Sequence, residues 1–217
     1  MCTAYVGDTV KGLILFYKPI LKVKLEFDTV YDQIVAFGIH SFTQFQSGDF
    51  RSIAEFNNYN PKYSGTSIKD IISSNPSKIN FLETAANCFG FKSLDHASLE
   101  GNAPIDIPFE QAVDMLLDGN MTDLQERISE DPTLLTRNSQ YGHKAGLIHY
   151  IGSNGVEFWR QVVPNNLVDI LKMLLDIGAD PDMWNNIYGS SSTLKGLIET
   201  SVHPYKAGLN KELIELL

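Results

Sequence analysis

Residues 167–177 read Leu-Val-Asp-Ile-Leu-Lys-Met-Leu-Leu-Asp-Ile, eight apolar positions out of eleven. The three polar ones, Asp169, Lys172 and Asp176, fall at i, i+3 and i+7, one narrow stripe of a helix. A helix with so thin a polar stripe is covered on most sides. Asn166 is placed to cap its start, and Gly178 to close its end in the left-handed conformation. Upstream, residues 144–155 form a shorter apolar segment around Leu147, Ile148, Tyr150 and Ile151. Residues 156–165, with Phe158, Trp159 and Arg160, separate the two. So long an insertion is either a side flap that packs its aromatics onto the helices or a loop that binds something.

The same periodicity extends in both directions. Phe109, Ala112, Val113, Leu116 and Leu117 run i, i+3, i+4, i+7, i+8 behind Pro108, which suits a first helical turn. Gly119 turns the chain, and Met121, Leu124 and Ile128 mark a partner helix. After residues 189–193, Leu194, Leu197 and Ile198 mark one helix and Leu209, Leu213, Leu216 and Leu217 another. The pattern predicts helices over 109–117, 120–129, 145–154, 166–177, 192–201 and 207–216.

The first half is less regular. Leu21, Val23, Leu25 and Phe27 alternate with Lys22, Lys24 and Glu26, the period of a half-buried strand. Such a strand needs a partner, and residues 10–16 are the nearest candidate across Pro19; the alternative is a helix. From Asp28 or Thr29, both able to cap, Val30, Ile34 and Phe37 follow at helical spacing. Thr66 is placed to cap a helix through Ile68, Ile71 and Ile72, ended by Asn75-Pro76. Ser77 caps a helix to Cys88, and Ser93 caps one closed by Gly101. Residues 48–61 and 119–132 form an internal repeat, each a short helix between a Gly turn and an Asn-Pro or Asp-Pro stop. In that alignment Phe50 matches Met121, Ile53 matches Leu124 and Glu55 matches Glu126.

The segment Leu174-Leu175-Asp176-Ile177-Gly178-Ala179-Asp180-Pro181-Asp182 resembles the end of an ankyrin repeat. Gly146-Leu147-Ile148-His149 stands where that family carries Thr-Pro-Leu-His, so the motif His is present and the Thr and Pro are not. Asn60-Pro61-Lys62-Tyr63 and Phe89-Gly90-Phe91-Lys92-Ser93-Leu94 are similar to the helical N-terminal region of a bacterial ankyrin-repeat family, with Leu94 in place of its usual Trp. The resemblance covers roughly residues 45–217 and gives fold more than function. It implies an all-α ankyrin-repeat solenoid with a helical N-terminal extension. The domains it implies are residues 1–105, with a repeat-like hairpin over 28–65 and short helices over 66–100, and residues 106–217, an array of about three repeats. The last unit lacks the Gly-Ala ending, so the expectation is either a truncated chain or a last helix covered by something else.

Charge narrows the function classes. The formal net charge is -9, which argues against a protein built on a basic nucleic-acid face. Residues 106–217 hold 16 Asp and Glu against 8 Lys and Arg, so a charge-steered partner is basic. That excess is equally an ordinary solubility bias. Two cysteines, Cys2 and Cys88, imply a reducing, cytoplasmic setting. The longest early apolar run, residues 12–17, is too short to span a bilayer, and no convincing cleavage site follows it.

Catalytic signatures are sparse. No Gly-rich phosphate loop, nucleophile elbow or His-Glu-x-x-His occurs, and the five His are scattered, so no cofactor or metal is expected. Cys2 has no adjacent base that would make it a nucleophile. His149, the motif His, is expected to hydrogen-bond backbone near the turn. His143 lies in the turn before it and His203 between the last two helices. The sequence therefore points to a protein-protein interaction module. The alternative is a small hydrolase-type enzyme with a site between the N-terminal region and the repeats. The expected partner surface is Tyr141 and His143 in one projecting turn and Asp180, Asp182, Trp184, Asn185 and Tyr188 in the next. Trp184 is either a binding anchor or a side chain folded back between neighbouring repeats.

Overall fold

The computed structural model describes residues 3–217. Cys2, considered above as a nucleophile, lies outside the described residues. The chain is mostly helical and forms two compact units. One unit comprises Lys11–Ile105; the other joins Met1–Val10 to Asp106–Leu217. The described residues begin with strand β1 (Thr3–Val6) and helix α1 (Asp8–Phe16), along which the chain passes from the second unit into the first.

In the unit of residues 11–105, α2 (Lys18–Leu21) starts on Pro19 and is followed by turns. The alternating residues 21–27 are therefore not a strand. Val23 N–H bonds the Ile20 carbonyl and Glu26 N–H that of Val23, and the Gln33 side chain takes the Lys24 carbonyl. These local bonds leave no edge for a ladder, and residues 10–16 lie in α1. Helix α3 (Val30–Gln46) is capped by Thr29, whose hydroxyl accepts the Asp32 N–H at 3.1 Å. Then come α4 (Ile53–Tyr59), α5 (Ile68–Ser73), α6 (Lys78–Cys88) and α7 (Leu94–Glu100). Ser67, not Thr66, caps α5 by accepting the Asp70 N–H. Ser77 and Asn80 cap α6 reciprocally, and Ser93 caps α7. Phe45, Ile53, Phe56, Tyr63, Ile71 and Phe81 form an aromatic-rich core.

In the other unit, α8 (Ile107–Leu117) is capped by Asp106 and followed by α9 (Met121–Glu130). The internal repeat survives as a stop signal. Asn60 and Asp131 each accept the N–H two residues on, at 3.1 and 3.2 Å, and each starts a 3-10 turn on the next Pro. Its two glutamates share no role: Glu55 is buried and Glu126 exposed.

The expected helix over 145–154 is a 3-10 helix, Leu147–Gly152. His149 N–H reaches back three residues to the Gly146 carbonyl, and Ser153 closes it at φ 45°. Residues 156–165 are the packed side flap. Phe158 and Trp159 are buried in a 3-10 turn, and strand β2 (Val162–Pro164) follows. β2 pairs antiparallel with β1, Val162 opposite Val6 and Pro164 opposite Thr3, so the expected all-α chain contains one small sheet.

Helix α10 (Leu167–Asp176) buries Leu167, Ile170, Leu171 and Leu174. Asn166 does not cap it; its side chain takes the Gly119 carbonyl at 2.9 Å. Gly178 does close it, at φ 94°, with Ala179 N–H on the Leu174 carbonyl and Gly178 N–H on that of Leu175. That bond pair is the Schellman ending. Helices α11 (Leu194–Thr200), α12 (Val202–Ala207) and α13 (Asn210–Glu215) follow. The linker expected around His203 is itself helical, because Ser201 caps α12 and Gly208 closes it at φ 76°. The core of this unit runs from Phe109 to Leu213 and includes Leu174, fully buried.

Candidate functional site

Two turns of this unit are zipped together by polar side chains. Residues 138–146 form a hairpin closed by an Asn138–Gly146 bridge. Asn138 Nδ2 donates to the Lys144 carbonyl and, at 2.7 Å, to the Trp184 carbonyl of the next turn. Asn186 N–H donates to the His143 carbonyl at 2.7 Å, and its side chain to the Gly142 carbonyl at 3.0 Å. The second turn, residues 180–189, is thereby held along the first. Asp180 fixes its start by accepting the Asp182 N–H at 2.9 Å.

The predicted surface residues divide sharply. Trp184 is 58% exposed and Tyr188 73% exposed, and Asp180 and Asp182 are exposed beside them. Trp184 does not fold back. Tyr141, His143 and Asn185 are buried and form no part of an accessible edge, which corrects the sequence expectation for all three. Each is drawn inward by partners. Tyr141 packs edge-on to Trp159, His143 faces Glu157, and the Asn185 side chain organises its own loop through Ile187 and Ser192. Tyr188 adopts φ 56°, rare for a bulky residue, and its hydroxyl donates to Asn154 Oδ1 at 2.5 Å. Beneath it Gly155 is required: a Cβ there would lie 2.2 Å from Ile187 Cγ2.

His149 has the backbone role expected of it. Its Nδ1 accepts the Gly146 N–H at 2.9 Å, which places the ring proton on Nε2, beside the Met183 carbonyl and Asn185. Burial pushes its pKa down to about 4 against the help of those carbonyl and amide bonds. It is a neutral structural ring.

Behind the edge lies a buried charge centre that sequence periodicity does not reveal. Arg160, from the flap, is enclosed by carboxylates. Its Nη1 is 2.5 Å from Glu110 Oε2 and 3.4 Å from Glu157 Oε1, and its Nη2 is 3.0 Å from Asp114 Oδ1. Its guanidinium also lies 5.5 Å from the Tyr150 ring centre and 6.0 Å from that of Tyr141. Burial alone would lower the Arg160 pKa; the Glu110 and Asp114 carboxylates hold it well above its ordinary value. Burial pushes Glu110 up against the pull of Arg160. Burial would raise Glu157 too, but Arg160 and His143 hold it below its ordinary value. The signal in the sequence was the Glu110/Asp114 pair, one turn apart on an amphipathic helix, with a lone Arg inside an apolar insertion.

His143 Nε2 lies 3.3 Å from Glu157 Oε1, near enough for attraction but short of hydrogen-bond alignment. A His beside a carboxylate is the composition of a general base. Here the His143 side chain is 2% and the Glu157 side chain 0% exposed, so the pair is closed to substrate. Among the described residues no group of His, Cys, Asp or Glu is arranged to hold a metal ion. Among them, too, no helix is long and apolar enough to cross a membrane.

Neither family models, nor curated proteins, nor solved structures contain a match to this chain.

Proposed function

We propose that this protein is a protein-binding module whose residues 106–217 form an ankyrin-type array, and that it binds a basic partner along the edge of Asp180, Asp182, Trp184 and Tyr188. The observation that carries this is the pair of exposed aromatics on a turn that is otherwise pinned. Residues of this type, held rigid, lose little entropy on binding and are common binding anchors. Backbone strain at Tyr188 supports the same assignment, since such strain persists where the surroundings enforce it and clusters at functional positions.

The ankyrin assignment is supported by the Schellman ending at Gly178, by the backbone role of His149 and by the side-by-side turns. The short 3-10 helix over Leu147–Gly152 and the flap are departures from the family pattern. Two acidic side chains beside the aromatics favour a basic surface and speed its approach. The proposal includes a cytoplasmic setting, supported by a chain with only two cysteines.

The test is capture from the source cell with the intact chain and a W184A/Y188A variant side by side. A protein retained by the first and lost from the second supports the edge. Equal capture by both, with the variant folded, removes it.

A further inference from the structure

We propose that Glu157 and Arg160 are positioning residues for the binding edge, so that the inserted flap sets from within the conformation of the turn that bears Trp184 and Tyr188. The functional meaning of this rests on the binding edge proposed above; the structural content stands on a continuous set of contacts.

Arg160 is anchored to α8 by Glu110 and Asp114 and to the Glu110 carbonyl at 3.2 Å. From that anchor it orients Glu157. Glu157 Oε1 also meets Tyr150 Oη at 3.5 Å and His143 Nε2 at 3.3 Å, while its Oε2 is buried with no hydrogen-bond partner. The other nitrogen of His143, Nδ1, accepts the Ala145 N–H at 3.0 Å. The ring is thus fixed to its own backbone through Nδ1, while Nε2 faces Glu157 at an attractive distance. The carbonyl of the same residue receives the Asn186 N–H. Asn186 lies two residues from Trp184 and two from Tyr188.

Packing alone does not account for this arrangement. Phe158 and Trp159 already bury the flap. A buried ionic cluster is costly to desolvate, and apolar side chains of the same volume hold a fold at least as well. What a charged network adds is direction: it admits one arrangement of its members where apolar contacts admit several.

The test uses the full chain carrying E157Q. This variant leaves Arg160 paired with Glu110 and Asp114, so no buried cation is stranded. Deuterium exchange is read at the Asn186 amide, which bonds His143, and at the Leu174 amide in α10 as a core reference. The expected result is Asn186 exchange faster by about tenfold or more with Leu174 unchanged, the signature of local opening. Acrylamide quenching of Trp184 in a W159F background should rise in parallel. Unchanged Asn186 exchange, or a rise matched at Leu174, overturns the proposal. If E157Q does not fold, H143Q removes the same ring contact and is read the same way. No partner is present in these measurements, so failure of the binding assignment leaves their outcome intact, and failure here leaves the edge itself standing.

Discussion

The Tyr17 hydroxyl donates a 2.5 Å hydrogen bond to the Glu55 carboxyl and stands 2.5 Å from Ser41 Oγ. The Cys88 thiol donates weakly to the other carboxyl oxygen at 3.7 Å. Three helices and the end of α1 therefore converge on one acid whose partners are a phenol and a thiol. Burial raises the Glu55 pKa to about 7, against the hydrogen bonds from Tyr17 and Cys88. The folded chain keeps this proton to about pH 7, whereas the unfolded chain releases it near 4.5. Unfolding thus releases a proton across that window, and stability falls as pH rises through it. A shift from 4.5 to about 7 amounts to about 3 kcal/mol. The difference in unfolding free energy between wild type and E55Q, read from urea titrations, should change by that much between pH 4 and pH 8, with wild type favoured at the acid end. A pH-independent difference would show that Glu55 is ionised in the fold.

His149 has the opposite sign. Its folded pKa is lowered to about 4 from an ordinary 6.5, because burial disfavours the imidazolium. Its contribution is fully present above pH 6.5 and is lost as pH falls towards 4. Both tryptophans, Trp159 and Trp184, lie in the unit of residues 106–217, so their fluorescence reports on it. Acid titration followed by that fluorescence should show a transition that His149→Gln flattens. Identical acid profiles for the two proteins would exclude a buried neutral ring.

Leu174 is fully buried in the core of the same unit and opens the Schellman ending through its carbonyl. Leu174→Ala removes apolar surface and leaves a cavity among side chains fixed by neighbouring helices, at a cost of about 2–5 kcal/mol. The backbone bond to Ala179 is retained, so the loss is one of packing. Urea unfolding with an unshifted midpoint would contradict the observed core.

Helical periodicity was legible wherever local sequence decides the structure. The stripe of α10, the Gly178 ending and the caps Thr29, Ser77 and Ser93 were all readable within a few residues of chain. The alternation over 21–27 misled because a strand needs a remote partner, while Pro19 favours a local helical turn. The buried centres were not readable, since their members are far apart in sequence. Arg160 meets Glu110 across 50 positions, and Tyr17 meets Glu55 across 38. The same limit split the predicted edge. Tyr141 and Tyr188 are alike as turn aromatics, but only Tyr141 has Trp159 and Arg160 to cover it.

The edge itself yields the most demanding prediction, because its substitutions separate binding from folding. Trp184 is held through its backbone carbonyl, so Trp184→Ala removes the exposed ring and keeps the Asn138 bond. Tyr188→Phe loses only the tether to Asn154, whereas Tyr188→Ala also loses the ring. If the rings are anchors, W184A and Y188A each weaken a captured partner by about 1–3 kcal/mol, and Y188F by less. Charge is tested at two unlike positions. Asp180 accepts the Asp182 N–H, so Asp180→Asn is the change that keeps the turn while removing charge. Asp182 is exposed and tolerates reversal, Asp182→Lys. Together these changes should slow association with a basic partner and flatten its dependence on salt, with a smaller effect on dissociation. Surface plasmon resonance at two ionic strengths measures both rates. An association rate indifferent to D180N/D182K would leave the acidic side chains as solubilising surface. Affinity indifferent to W184A/Y188A would exclude the aromatic edge.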